Sequence, residues 1–251
     1  MIEKKVIIIT GAASGMGAAA ARIFAEDGAS LILADWSTTG QAVADDLAAS
    51  GHAVRFVRAD VSQEADVIQM VQAAIDSYGH LDGAFNNAGV EMSSKLLPDL
   101  SVDEFDRVVS VDLRGVFLCM KYEILAMKGR GGAIVNTASG YSVIGGPYAA
   151  DYVAAKHGVL GLTRAASTET RDTGVRVNCV IPGLTLTPMI KERLFSDPSF
   201  AAQIEPMKER HSIGRFGEPE DIARAAKWLL CDESAYVNGA ALAVDGGYVA
   251  R

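Results

Sequence analysis

Cysteine is scarce here and does not pair up. Cys119, Cys179 and Cys231 are the three cysteines among 251 residues, far apart and each in an apolar context. An odd number of isolated thiols fits buried free cysteines in a reducing compartment, not a disulfide framework. Histidine is scarce too: His52, His80, His157 and His211 are too scattered for a metal cluster, so no metal is expected. Long apolar runs are missing, and none approaches the roughly 20 residues of a membrane span. The first apolar run, residues 6–9, is too short for a signal-peptide core and lacks a cleavage site. Blocks of basic residues are missing, and the net charge is -8, which makes nucleic acid and anionic membrane poor partners. No linker, repeat or low-complexity tract divides the chain, so 1–251 is expected to be one cytoplasmic domain. What the chain does have is core material. Hydrophobic residues make up 49% and charged residues 22%, a balance that suits a folded domain with a large core.

The apolar runs alternate with helical stretches. Residues 6–10 read as a buried strand ended by Gly11, followed by Ala12-Ala-Ser-Gly-Met-Gly17 and a helix over 18–27 closed by Gly28. Residues 31–34 read as the next strand, with Asp35 at its carboxyl end. Strand, glycine-rich turn, helix, strand and acid together form the dinucleotide-binding pattern. Glycines let backbone approach a pyrophosphate, the helix N-terminus meets it with N–H groups, and the acid takes ribose hydroxyls. The alternation continues with helices over 41–49, 64–78, 152–170 and 220–230. Strands are expected over 54–59, near 84–86, and over 133–137, 175–181 and 241–244. Ser101 and Glu104 form a capping box that opens helical sequence running, with a break, to about residue 127. This pattern predicts an α/β fold with a doubly wound, mainly parallel sheet and helices on both faces. Residues 184–217 read as irregular, carrying Pro188, Pro198 and Pro206, and are expected to form a mobile substrate lid.

Ser139 and the Tyr152-Val-Ala-Ala-Lys156 turn are the candidate chemistry. Residues four apart share a helix face, so the Tyr152 hydroxyl and the Lys156 ammonium can reach one site. A cation beside a phenol favours its ionised form, which would let Tyr152 exchange a proton with an alcohol or carbonyl near neutral pH. The alternative is an exposed helix pair. His157 adjoins Lys156 but does not share its face. Trp36 and Trp228 read as packing residues.

Taken in order, these residues resemble the short-chain dehydrogenase/reductase family over essentially the whole chain. The resemblance rests on Thr10-Gly11, Gly15 and Gly17, Asp60-Val61, Asn86-Asn-Ala-Gly89, Ser139, Tyr152 and Lys156, Pro182-Gly183 with Thr187, and Asp245-Gly-Gly247. It implies a seven-stranded Rossmann sheet that binds NAD(P). It implies that Tyr152 is the acid/base, that Lys156 holds the ribose and lowers the tyrosine pKa, and that Ser139 positions the substrate oxygen. The implied cofactor residues are Gly11, Ser14, Gly15, Met16, Gly17, Asp35, Asp60, Val61, Asn87, Ala88, Gly89, Tyr152, Lys156, Pro182, Gly183, Thr185 and Thr187. One position departs from the pattern. The family's fourth site member is Asn in a helix break, where it helps hold a water linking the lysine to solvent; here it is Asp112. That carboxylate is expected either to act on the Tyr152–Lys156 pair or to point to solvent and cap a helix.

The expected function is hydride transfer between NAD and a secondary alcohol or ketone, mostly apolar and cyclic or aromatic. The alternatives are a 3-oxoacyl-thioester reductase and a non-catalytic NAD-binding subunit. NAD is expected over NADP because Asp35 would repel a 2′-phosphate, while Ala12, Ala13, Ser14 and Met16 supply no cation and position 36 is Trp. Glu91, Met92, Tyr141, Val143, Leu184, Met189 and Met207 are expected to line the substrate pocket. The resemblance also implies a homotetramer, with a dimer second, for which Val116, Phe117, Leu118, Leu160 and Leu162 offer apolar surface.

Overall fold

The computed structural model describes residues 1–250. β1 (Val6–Thr10), β2 (Ser30–Asp35), β3 (Val54–Arg58), β4 (Gly83–Asn86), β5 (Gly132–Thr137), β6 (Val175–Pro182) and β7 (Ala241–Val244) form one sheet in the order 3-2-1-4-5-6-7. Every pairing is parallel. Parallel neighbours need crossovers, and the helices α1 (Gly15–Glu26), α2 (Gly40–Ala49), α3 (Glu64–Tyr78), α5 (Val116–Met127), α6 (Ala150–Glu169) and α10 (Pro219–Leu230) lie within them.

Helices cover both faces, so β1 is buried at all five residues. Its side chains alternate between two cores. Val6 and Ile8 join Val67, Met70, Leu118 and Val159 of α3, α5 and α6. Ile7 and Ile9 join Phe24, Leu47, Ile222 and Leu229 of α1, α2 and α10. Fully burying side chains of this size contributes about 1.5–3 kcal/mol each. The sheet can therefore hold its carboxyl edge rigid. The strand order reverses between β1 and β4, and the crevice above that switch point is where ligands bind in open α/β sheets.

Four expectations change. The lid stretch is not irregular: it contains α7 (Pro188–Ser196), α8 (Pro198–Ala201) and α9 (Ile204–Arg210). Pro188 and Pro198 stand at helix starts, where a missing N–H and a fixed φ are tolerated, so they open helices here. Trp36 is 72% exposed and Trp228 39% exposed, so neither is a core packing residue. Val116, Leu118 and Leu160 are buried in the core and offer no outer surface, whereas Phe117 is exposed. The break in the helical sequence after α4 (Val102–Val109) is a π-helical turn, Ser110–Gly115, which runs into α5 without leaving helical geometry. The Ser101–Glu104 capping box is present at the start of α4.

Candidate active site

The site is built at the carboxyl edge from three supports: the end of β5, the first turns of α6, and the π-helical turn. α6 begins at Ala150, so Tyr152 and Lys156 are stacked on its first turns facing β5. Lys156 is buried and its Nζ donates to the Thr137 carbonyl at 3.0 Å. Nζ also lies 5.4 Å from the centre of the Tyr152 ring. The Ser139 hydroxyl is close enough to the Tyr152 phenol to favour its ionised form, and the Tyr152 ring packs edge-on to Tyr141 at 6.4 Å. Ser139 is held by its own short turn: its N–H donates to Ser142 Oγ and its Oγ accepts from the Tyr141 N–H.

Asp112 joins this group from the π-helical turn. Its side chain is buried, Oδ1 accepts the Val90 N–H at 2.7 Å, and Oδ2 lies 3.2 Å from Lys156 Nζ. The alternative in which this carboxylate points to solvent is excluded. Gly89 makes the room, since a Cβ there would stand 3.1 Å from Asp112 Oδ2. π-helical turns concentrate at functional sites because they re-aim one side chain inside a continuous helix.

Electrostatics alter one expectation. Burial raises the Tyr152 phenol above the ordinary tyrosine value; the Lys156 cation pulls it down but is outweighed, and Asp112 adds to the rise. Burial alone would lower Lys156, yet the Asp112 carboxylate and Tyr152 hold it above the usual lysine value. Burial pushes Asp112 up against the pull of Lys156 and the Val90 N–H. A carboxylate oxygen 3.2 Å from an ammonium nitrogen favours the ionised pair. The Lys156 cation therefore has its charge already answered by Asp112.

The second half of the crevice fits a dinucleotide. Gly11 and Gly15 have φ of +66° and +53°, conformations that favour glycine. A Cβ on Gly17 would meet the Gly11 carbonyl oxygen at 2.1 Å, so the turn and α1 approach as only glycine permits. Ser14 makes no side-chain cap and the first turn of α1 carries no acid, which leaves its N–H groups free for an anion. Thr187 lies across the same turn, its Cγ2 3.2 Å from where a Gly15 Cβ would be. Asp35 is fixed by the Ala13 N–H at 3.0 Å and the Ser37 N–H at 2.9 Å. Asn87 ties the floor to β1: its N–H donates to Thr10 Oγ1 and its amide to the Thr10 and Gly11 carbonyls.

Asp60 is occupied with the Ser62 backbone and hydroxyl, and Val61 is buried against the π-helical turn, where a Gly115 Cβ would touch it. Ala88 backs Gly11, where a Cβ would lie 2.8 Å from its Cα. Pro182 is buried at the end of β6. Gly183 sits against Asp245, and its carbonyl accepts the Thr185 hydroxyl, so Thr185 is buried and turned inward. Met16 packs on the second core.

Of the expected substrate residues, Tyr141 packs edge-on to Tyr152 and the charge of Glu91 reaches it. Met92, Leu184 and Met207 are half-buried, while Val143 and Met189 are exposed. Two residues escaped the sequence reading. Asp151 is buried one residue before Tyr152 and accepts both the Tyr152 and the Ser93 N–H groups; an acid in the first helical turn was the available signal. His211 is buried, accepts the Leu184 N–H on Nε2 and is hydrogen-bonded to the Met207 carbonyl through Nδ1, tying the two ends of the 184–211 stretch together.

The chain is similar over nearly its whole length to known proteins. A family model described as enoyl-(acyl carrier protein) reductase matches residues 11–249. A 2,5-dichloro-2,5-cyclohexadiene-1,4-diol dehydrogenase of Sphingobium indicum is 43% identical over 99% of this chain and 98% of its own length. The crystal structure of a levodione reductase superposes with a TM-score of 0.94 at 38% identity, over 99% of this chain and 98% of that one. A 3-ketoacyl-(acyl-carrier-protein) reductase from Brucella melitensis, solved with NADH, gives 0.90 at 33% identity over 99% and 100%.

Proposed function

Since this chain belongs to the short-chain dehydrogenase/reductase family and is an oxidoreductase of secondary alcohols and ketones, we propose that it uses NAD to interconvert a cyclic secondary alcohol and its ketone. The observation that carries the reading is the convergence of Ser139, Tyr152, Lys156 and Asp112 beside a glycine turn with free helix N–H groups.

A bound nicotinamide supplies the hydride chemistry. The protein moves the proton. In oxidation the substrate hydroxyl hands its proton to Tyr152 Oη, while Ser139 Oγ holds the same oxygen. In reduction Tyr152 returns that proton to the carbonyl oxygen. Lys156, anchored on Thr137 O and answered by Asp112, holds the ribose and stabilises the tyrosinate. Gly11, Ser14, Gly15, Met16, Gly17 and Thr187 would take the pyrophosphate side, and Asn87, Ala88, Gly89, Pro182 and Gly183 the nicotinamide side. Asp35 would accept the adenosine ribose hydroxyls, with Asp60 and Val61 beside the adenine. This carboxylate is what supports NAD over NADP. Ring substrates are supported by the relatives, whose names include a cyclohexadienediol dehydrogenase and a levodione reductase.

We read residues 184–217 as a substrate lid on a single cytoplasmic domain, in keeping with three buried free cysteines. We further read the chain as a homotetramer paired through the helices over 105–127 and 152–170 and docked at the C-terminal strand, with Phe117 and Leu125 exposed on the first of these helices. The deciding assay is growth of NADH absorbance with a panel of cyclic secondary alcohols. Activity on none of them, nor on the matching ketones with NADH, overturns the reading.

A further inference from the structure

The loop after β4 carries a carboxylate that the proton relay does not use. Its backbone is fixed at three points. The Val90 N–H donates to Asp112 Oδ1 at 2.7 Å, and the Glu91 carbonyl accepts Arg107 Nη2 at 2.7 Å. The Ser93 N–H donates to Asp151 Oδ2 at 2.9 Å, and Asp151 Oδ1 in turn accepts the Tyr152 N–H at 2.8 Å. Residues 90–93 are thus locked to both Asp112 and the first turn of α6. Whatever Glu91 binds is held in register with the Tyr152 phenol.

On this fixed wall two polar atoms are buried without a hydrogen-bond partner: Glu91 Oε1 and, two residues on, Ser93 Oγ. Buried polar atoms are otherwise satisfied in folded proteins, and leaving one unmet is costly. The lid does not satisfy them. Arg193 of α7 lies near Glu91 but spends its Nη2 on Ser94 Oγ at 2.9 Å and its Nε on Asp197 at 3.6 Å, with its plane over the Phe200 ring. Burial raises the Glu91 carboxyl even though Arg193 and Arg107 pull it down.

We propose that Glu91, with Ser93 beside it, reads a second hydroxyl on the substrate, so that the enzyme selects diols over matching simple alcohols. This inference deepens the proposed function and rests on it. The chemistry of the wall selects the ligand group. A carboxylate lacking a donor wants a hydrogen-bond donor. An ammonium would compete with Arg193 and Arg107, whose charges already act on this acid alongside that of Glu192. A second carboxylate is repelled by Glu91 itself. A neutral hydroxyl donates to Glu91 and accepts from the Ser93 hydroxyl. A site built to hydrogen-bond a hydroxyl discriminates strongly against the analogue without it, because its own groups then stay unmet.

The test is kcat/KM with NAD for two matched pairs, cyclohexane-1,4-diol against cyclohexanol and butane-2,3-diol against butan-2-ol. It is run on the wild type, Glu91→Leu and Glu91→Gln. The expected wild-type preference for the diol is about tenfold or more in at least one pair. Glu91→Leu should collapse that ratio toward one, and Glu91→Gln, which keeps an acceptor oxygen, should retain most of it. A wild-type ratio of one or below in both pairs overturns the proposal, as does a ratio left unchanged by Glu91→Leu, which is the outcome for a pocket that holds water only. Those results leave alcohol oxidation itself standing. Failure of the wild type on all four alcohols would instead overturn the functional reading together with this one.

Discussion

Asp112 Oδ2 lies 3.2 Å from Lys156 Nζ, and both side chains are shut away from solvent. The carboxylate that stabilises the ammonium also opposes a tyrosinate at Tyr152, and burial already makes that tyrosinate costly.

The first consequence concerns pH. Oxidation needs Tyr152 deprotonated, so its rate rises as pH increases through the phenol pKa. A negative Asp112 moves that rise toward higher pH. Asp112→Asn removes the charge and keeps an acceptor for the Val90 N–H, so its kcat/KM profile should rise at lower pH than the wild type's. Superimposable profiles would show that the charge does not reach the relay.

Removal of the phenolic oxygen should separate chemistry from binding. Tyr152→Phe keeps the ring that packs edge-on to Tyr141. Turnover should fall by about 10²–10⁴-fold, while the Kd for NAD, measured by titration, stays within about threefold. Near-normal turnover would remove Tyr152 from the acid/base role.

The proposed choice of NAD over NADP rests on Asp35. Two unit charges 4 Å apart at a protein surface interact by about 4 kcal/mol, enough to disfavour a 2′-phosphate strongly. The nearby Arg58 is engaged with the Trp36 carbonyl at 3.1 Å. Asp35→Ser should cut the NAD-over-NADP ratio in kcat/KM by about 10-fold or more. The exposed Trp36 indole next to it gives a binding signal: NAD should change the fluorescence of the wild type far more than that of Trp36→Phe. Equal use of both cofactors by the wild type would refute the assignment.

Stability should carry the mark of a different buried acid. Glu123 is fully buried, accepts Asn86 Nδ2 at 2.9 Å, and burial raises its pKa to about 8. The folded state therefore keeps a proton that the unfolded state gives up near the ordinary glutamate value. Stability contributed by this group is fully present below that value and is lost as pH climbs to about 8, then levels off. The wild-type Tm should fall from about pH 5 to about 8, and Glu123→Gln should flatten that fall. Parallel curves for the two proteins would rule out Glu123 as the source.

Much of this was legible because the signals were local. Gly11 to Gly17 followed by Asp35, the Ser101–Glu104 box and the Tyr152–Lys156 spacing each declare themselves within a few dozen residues. What stayed hidden depended on distant partners. Glu123 meets Asn86 across 37 positions, and Asn86 in turn meets Asn136. Residue types could not tell that burial would outweigh Lys156 at Tyr152, or that Asp112 would face inward. The helices within 184–217 stayed hidden for another reason: proline reads as a structure breaker, whereas Pro188 and Pro198 sit where a helix begins.

The π-helical turn has a further meaning as a matter of chain length. α4 and α5 behave as one rod with a surplus residue at its middle, so the two halves are out of phase by about 100° of rotation, one residue's share of a 3.6-residue turn. Deleting a single residue anywhere in Ser110–Gly115 would let the rod close into regular α-helix. Asp112 would swing away from Lys156, or α5 would have to turn its core side chains outward. An insertion or deletion here is thus worse tolerated than most substitutions. The catalytic neighbourhood is sensitive to the count of residues as much as to their kinds.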